Sequence, residues 1–146
     1  MNTNSTIANH IKSLFPKLFV TEIVDNNLTF NAEKDNGFIE YKRTLVACDD
    51  KKAQQYATQM RWRITENIRH QCATYFIGID DDGGIIGLSD NEIIECITCF
   101  VTIANLINAS ITAVQLIHIY ELTIIKIGVK IKKIQDDYYI EFGDKF

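Results

Sequence analysis

Apolar and polar positions along the chain follow two rhythms, and the points where one gives way to the other define the elements. Ile7, Ile11, Leu14 and Phe15 recur at helical spacing behind Ser5 or Thr6, either of which can cap the helix, and Pro16 ends it. Residues 17–24 and 28–32 read as two strands around Asp25-Asn26-Asn27, a turn whose residues tolerate positive φ. Phe38 to Val46 reads as a third strand. Asp49 and Asp50 then place negative charge where a long helix over about residues 50–70 would start, the end that the helix dipole favours for acids. Tyr75 to Ile79 and Ile85 to Leu88 are short strands flanking the acidic turn Asp80-Asp81-Asp82-Gly83-Gly84. Ser89 followed by Glu92 forms a capping box for a second long helix, with Ile93, Ile97, Phe100, Ala104 and Ile107 at core spacing and an end near Asn108. Two long strands follow over about residues 111–120 and 123–134, and a short one over Tyr138 to Phe142. The pattern predicts an α/β fold: a mixed, mainly antiparallel sheet with two long helices. Residues 1–34 are expected as a helix-and-hairpin extension, and residues 35–146 as one α/β domain with no separate second domain.

Two element faces look outward. On the helix over 50–70, Ala53, Tyr56, Ala57, Met60, Ile64 and Ile68 fall on one side and should pack. Trp62 falls on the opposite side with Gln55, Thr58, Glu66 and Arg69, flanked by Arg61 and Arg63. Trp with Arg is the pairing that binding surfaces favour, and another element covering the indole is the alternative. On the strand from Thr123, Ile125, Ile127, Val129 and Ile131 point one way, and Lys126, Gly128, Lys130 and Lys132 the other. A basic stripe of this kind can follow a phosphate backbone, and it can equally be a solvated face or a guarded edge.

Composition narrows the field. Of 146 residues, 47% are hydrophobic and 23% charged, which excludes a wholly disordered chain. Fifteen basic against nineteen acidic side chains leave a formal charge of −4, so any nucleic-acid contact has to come from a local patch. Met1 to Ser5 lacks the basic and apolar start of a signal peptide, and Ile93 to Ile107 is too short and too interrupted to span a bilayer. The expectation is a cytoplasmic protein without membrane contact, its four cysteines reduced.

Candidate chemistry is sparse. Cys96 and Cys99 form a C-x-x-C, but they sit inside a helix rather than at its start, and no second close pair of ligands accompanies them. No G-x-x-x-x-G-K-[ST] occurs, so the residues hold no P-loop. Asp35, Glu40 and Asp80 lie before, within and just after strands. Carboxylates gathered at strand ends can hold Mg²⁺ or Mn²⁺ through oxygen. Glu40 and Lys42 share a strand face, where they can simply pair.

Three stretches together carry a resemblance. They are Asn36-Gly37-Phe38-Ile39-Glu40-Tyr41-Lys42, Ala57-Thr58-Gln59-Met60-Arg61-Trp62-Arg63, and Ile77 to Leu88, which reads I-G-I-D-D-D-G-G-I-I-G-L. In this order the chain resembles the N-terminal domain of the elongation-factor-like GTP-binding proteins, a family of translational GTPases, over roughly residues 36–134. More distantly, the first and third stretches resemble the AlbA-like core of Schlafen proteins. That second resemblance implies a metal-dependent site cutting RNA, with Asp35, Glu40 and Asp80 as its acids and Lys42 beside them.

The expected function is a stand-alone, non-GTPase module that binds RNA or a translation-related ribonucleoprotein such as the ribosome, without a cofactor. Arg61, Trp62, Arg63, Arg69, Lys126, Lys130 and Lys132 are its contacts. The alternative is a Schlafen-like endoribonuclease acting on structured RNA such as tRNA, with Mg²⁺ or Mn²⁺ held by Asp35, Glu40 and Asp80 and Lys42 steadying the phosphate. A protein partner or a homodimer through the Trp62 face is a further possibility, and nothing implies DNA specifically.

Overall fold

Three helices lie on one face of a five-stranded sheet, in a computed structural model that describes residues 6–34, 37–46 and 48–131. The helices are α1 (Thr6–Leu14), α2 (Asp50–Glu66) and α3 (Asp90–Leu106). The strands are β1 (Val20–Val24), β2 (Ile39–Lys42), β3 (Cys72–Ile77), β4 (Ala109–Ile119) and β5 (Leu122–Ile131). The sheet order is β1-β4-β5-β3-β2. The two central pairings, β4 with β5 and β5 with β3, are antiparallel and make the longest ladders. Both edge strands join in parallel. The fold is mixed α/β, as the periodicities predict.

Local chemistry starts the two long helices. Asp49 Oδ1 accepts the Lys52 amide at 2.8 Å and caps α2. Ser89 and Glu92 close the reciprocal capping box of α3, at 3.2 and 2.9 Å. Apolar residues of all three helices then bury in one core: Ile7 and Ile11 from α1, Met60 and Ile64 from α2, Ile93, Ile97 and Phe100 from α3. Val114, Leu116, Ile125, Ile127, Val129, Tyr75 and Ile77 meet them from the sheet. The stretch before residue 35 therefore shares this sheet and core through β1 and α1.

The strand expected over Phe38 to Val46 shortens to β2, and three further sequence expectations change. Residues 28–32 form no strand. The Asp25 amide donates to the His118 carbonyl at 2.9 Å and Asn26 Oδ1 accepts the Tyr120 amide at 2.6 Å, which fixes β1 beside β4 instead of in a hairpin. The chain then crosses the other face of the sheet at one end, where Leu28 and Phe30 pack with Tyr41, Phe76, Ile79, Ile117, Ile119 and Ile124 in a second, smaller cluster. Their period-two spacing mimics a strand because alternate residues turn toward the sheet. Second, α2 stops at Glu66, and Ile68, expected on its packed side, is 85% exposed in the turn beyond. Third, Ile85 to Leu88 contributes only an isolated bridge, Ile79 with Ile85. The expected strand over 138–142 lies outside the described residues. No helix among the described residues is long and apolar enough to cross a membrane.

Candidate functional site

Among the described residues, Glu40 and Arg63 are the two buried charged side chains, each below 5% exposed. Strand β2 alternates Ile39 and Tyr41 toward the open face with Glu40 and Lys42 toward the helices, and α2 brings Arg63 down onto them. Arg63 Nε donates to Glu40 Oε1 at 2.6 Å, and Lys42 Nζ lies 3.5 Å from Glu40 Oε2. One guanidinium nitrogen of Arg63 donates to the Gly37 carbonyl at 3.0 Å, and another stands 3.8 Å from Glu33 Oε1. The Lys34 carbonyl also accepts from the guanidinium, at 3.4 Å. Glu33 Oε2 accepts the Tyr41 amide, which closes the free edge of β2. Burial pushes the Glu33 carboxyl above its ordinary value, against the Tyr41 hydrogen bond that lowers it, and the Glu40 charge adds to the rise. Burial likewise pushes the Tyr75 phenol up, with Glu40 acting in the same direction, so it stays protonated.

This arrangement is a clamp. It joins the first motif stretch to the second and pins the crossing of residues 28–34 to the sheet edge. Both Glu40 oxygens are engaged by cations, so a divalent ion reaching Glu40 would have to displace Arg63 or Lys42. Asp80 belongs to a different cluster, beside an open cleft lined by Arg43, Ile79, Asp80, Asp81 and Asp82, where Arg43 Nε lies 3.5 Å from Asp80 Oδ1. Different cations thus hold Glu40 and Asp80, and Asp35 lies outside the described residues. Among the described residues no three His, Cys, Asp or Glu side chains are grouped to hold a metal ion.

The expected ridge on α2 is reshaped in the same way. Trp62 is 49% exposed, so no element among the described residues covers the indole. Arg61 and Arg69 are exposed too. Arg63 is not part of that surface: helical spacing from Met60 turns it toward the core, and its guanidinium merely grazes the Trp62 ring at 5.5 Å.

Lys126 and Lys130 are exposed on the sheet face that the helices leave uncovered. Register places Gln115 and Phe76 on either side of Lys126, and Ala113 and Thr74 on either side of Gly128. Lys126 Nζ stands 5.9 Å from the centre of the Phe76 ring. Thr112 sits at an irregularity in β4, its hydroxyl over Gly128, where any side chain would collide with it. Among the described residues no carboxylate lies within ion-pair distance of Lys126 or Lys130. Lys132 lies outside the described residues. The ridge on α2 and the lysines on β5 face opposite sides of the molecule, because the sheet and its helical core lie between them.

Sequence reasoning missed Glu33, whose role depends on a crossing that it read as a strand. It also missed Thr74, Phe76 and Gln115, although the alternation of Cys72–Ile77 would have placed the first two on one face. The pair Glu22 and His118, 2.5 Å apart and joining β1 to β4, had no signal at all.

Comparison with known proteins gives one relationship along the whole chain. All 146 residues align, at 52% identity, with uncharacterized protein R625 of Acanthamoeba polyphaga mimivirus, covering 78% of that protein. The chain belongs to the family of that mimivirus protein. A shorter match reaches GTP-binding protein 2 of Mus musculus and of Homo sapiens, 32% identical over 83 residues, which is 57% of this chain and 14% of theirs. The partial likeness agrees with the resemblance carried by the three motif stretches. No family model matches, and no solved structure matches.

Proposed function

We propose that this chain is a binding module that takes unpaired RNA, alone or within a translation-related ribonucleoprotein, on the open face of its sheet. The observation that carries the reading is the exposed pair Lys126 and Lys130, free of carboxylate partners among the described residues, on a face that none of the three described helices covers. Lysines so placed attract phosphates, and the attraction weakens as salt rises. Thr74, Thr112 and Gln115 offer hydrogen bonds beside them, and Phe76 offers ring surface. The partial likeness to GTP-binding protein 2 supports a translational setting, and the 146 residues carry no P-loop of their own. Trp62 with Arg61 and Arg69 is a second contact, reached by a large particle and not by a short RNA lying on the sheet.

Fluorescence anisotropy with a labelled, unpaired RNA tests the reading. Lys126→Glu with Lys130→Glu should weaken binding at least about tenfold at physiological salt, since two contacts to phosphate become two repulsions. A double variant that binds as the wild type does would overturn it.

A further inference from the structure

The C-x-x-C of α3 divides in the structure. Cys96 is turned to the loop between β2 and α2, where its sulfur accepts the Leu45 amide at 3.3 Å and lies 3.7 Å from the Thr44 hydroxyl. Cys99, one helical turn on, is turned to a different residue of that loop, Cys48, with which it shares a cavity. Both line a small cavity of about 280 Å³ with Leu45, Ile94, Thr98 and Thr102. Cys48 is half-buried, while Cys96 and Cys99 are buried.

We propose that Cys48 and Cys99 are a disulfide-forming pair, an oxidation site at which a small disulfide such as oxidised glutathione links the β2–α2 loop to the middle of α3. The proposal is independent of RNA binding. Geometry selects the pair over the sequence motif. Residues three apart on a helix keep their Cβ atoms about 5–6 Å apart, whereas a disulfide needs about 3.5–4.5 Å, so Cys96 and Cys99 cannot join without unwinding α3. Access orders the steps. The Cys48 thiolate, at the half-buried position, attacks one glutathione sulfur, forming a mixed disulfide and expelling one glutathione thiolate. Cys99 then loses its proton and attacks the Cys48 sulfur, forming the protein disulfide and releasing the second glutathione. Two protein thiols and one oxidised glutathione become one protein disulfide and two reduced glutathiones. Burial pushes the Cys99 thiol above its ordinary value, so it waits as the resolving partner.

The test is intact mass and peptide mapping of the folded protein after incubation with oxidised glutathione, in a Cys72→Ser background that removes the fourth thiol. The expected product has lost two hydrogens, retains no glutathione, and maps to a Cys48–Cys99 cross-link. Cys99→Ser should stop at glutathione held on Cys48, and Cys96→Ser should still close the bond. Glutathione persisting on Cys48 while Cys99 is intact, or a link mapping to Cys96, would overturn the assignment. The mapping in the Cys72→Ser protein decides this even where a buried Cys99 variant fails to fold.

Discussion

Arg63 and Lys126 are both cations set against an aromatic ring, at 5.5 Å from Trp62 and 5.9 Å from Phe76, in opposite surroundings. Arg63 is 4% exposed and its donors are taken up by Glu40, Glu33 and two carbonyls. Lys126 is exposed and meets no carboxylate among the described residues. A cation whose charge the fold has already neutralised holds structure. A cation left in solvent without a partner remains available to a phosphate. The difference comes from one turn of helix or one step of strand: Arg63 lies three residues from buried Met60, and Lys126 alternates with buried Ile125 and Ile127.

The sharpest way to break this contrast is to remove both cations separately. Arg63→Ala should cost about 3–5 kcal/mol in chemical denaturation, because it leaves Glu40 as a buried charge without its main partner. Lys126→Ala should stay within about 0.5 kcal/mol of wild type, having no burial or pairing to lose. Equal costs would collapse the distinction. Next comes Gly83, at φ 92° in the turn after Asp82, where an added Cβ would run into the Phe30 carbonyl. Gly83→Ala should destabilise by about 1–3 kcal/mol by forcing the crossing off the sheet, which a thermal melt reads directly. The exposed pair of Arg43 with Asp80 sets the lower end: Asp80→Asn should change stability by less than about 1 kcal/mol.

The smallest effect is one of pH. Glu33 has a folded pKa raised by burial, so between its ordinary value of about 4.5 and the raised value the folded state binds more protons than the unfolded. Stability therefore falls as pH rises through that window. Glu33→Gln should remove that part of the slope in denaturation series run upward from pH 4.5, while its amide oxygen still accepts the Tyr41 amide. An unchanged slope would mean that the carboxyl of Glu33 is not desolvated as its place in the clamp requires.

Much of the architecture was legible because it rests on local chemistry. The Ser89 and Glu92 box, the acidic start of α2 at Asp49 and Asp50 and the two-residue alternation of β5 each act within a few positions, and each is found where the pattern predicts it. What was not legible depends on contacts remote in sequence. Leu28 and Phe30 have a strand's spacing, but a strand needs a neighbour, and Asn26 bonding to the Tyr120 amide sends the chain across the sheet instead. Arg63 reads as a surface neighbour of Trp62 until α2 is docked against β2, when it becomes the partner of Glu40. The same docking gives Glu40 a second cation beside Lys42. Lys126 and Lys130 were visible as a stripe, yet only the packing of the three helices on the opposite face shows which side of the sheet the stripe occupies.

The proposed site for a short unpaired RNA is the sheet face that the helices leave uncovered, and not the indole ridge of α2. Its most direct test is the salt dependence of affinity for one short unpaired RNA, compared among wild type, Trp62→Ala and the Lys126→Glu, Lys130→Glu pair. Each lysine that meets a phosphate contributes about 0.7 to the slope of log affinity against log salt for a single strand, so the lysine variant should lose about 1.4 from it. Trp62→Ala should leave slope and affinity as they are. A lysine variant with the wild-type slope, beside a Trp62 variant that no longer binds, would contradict the account.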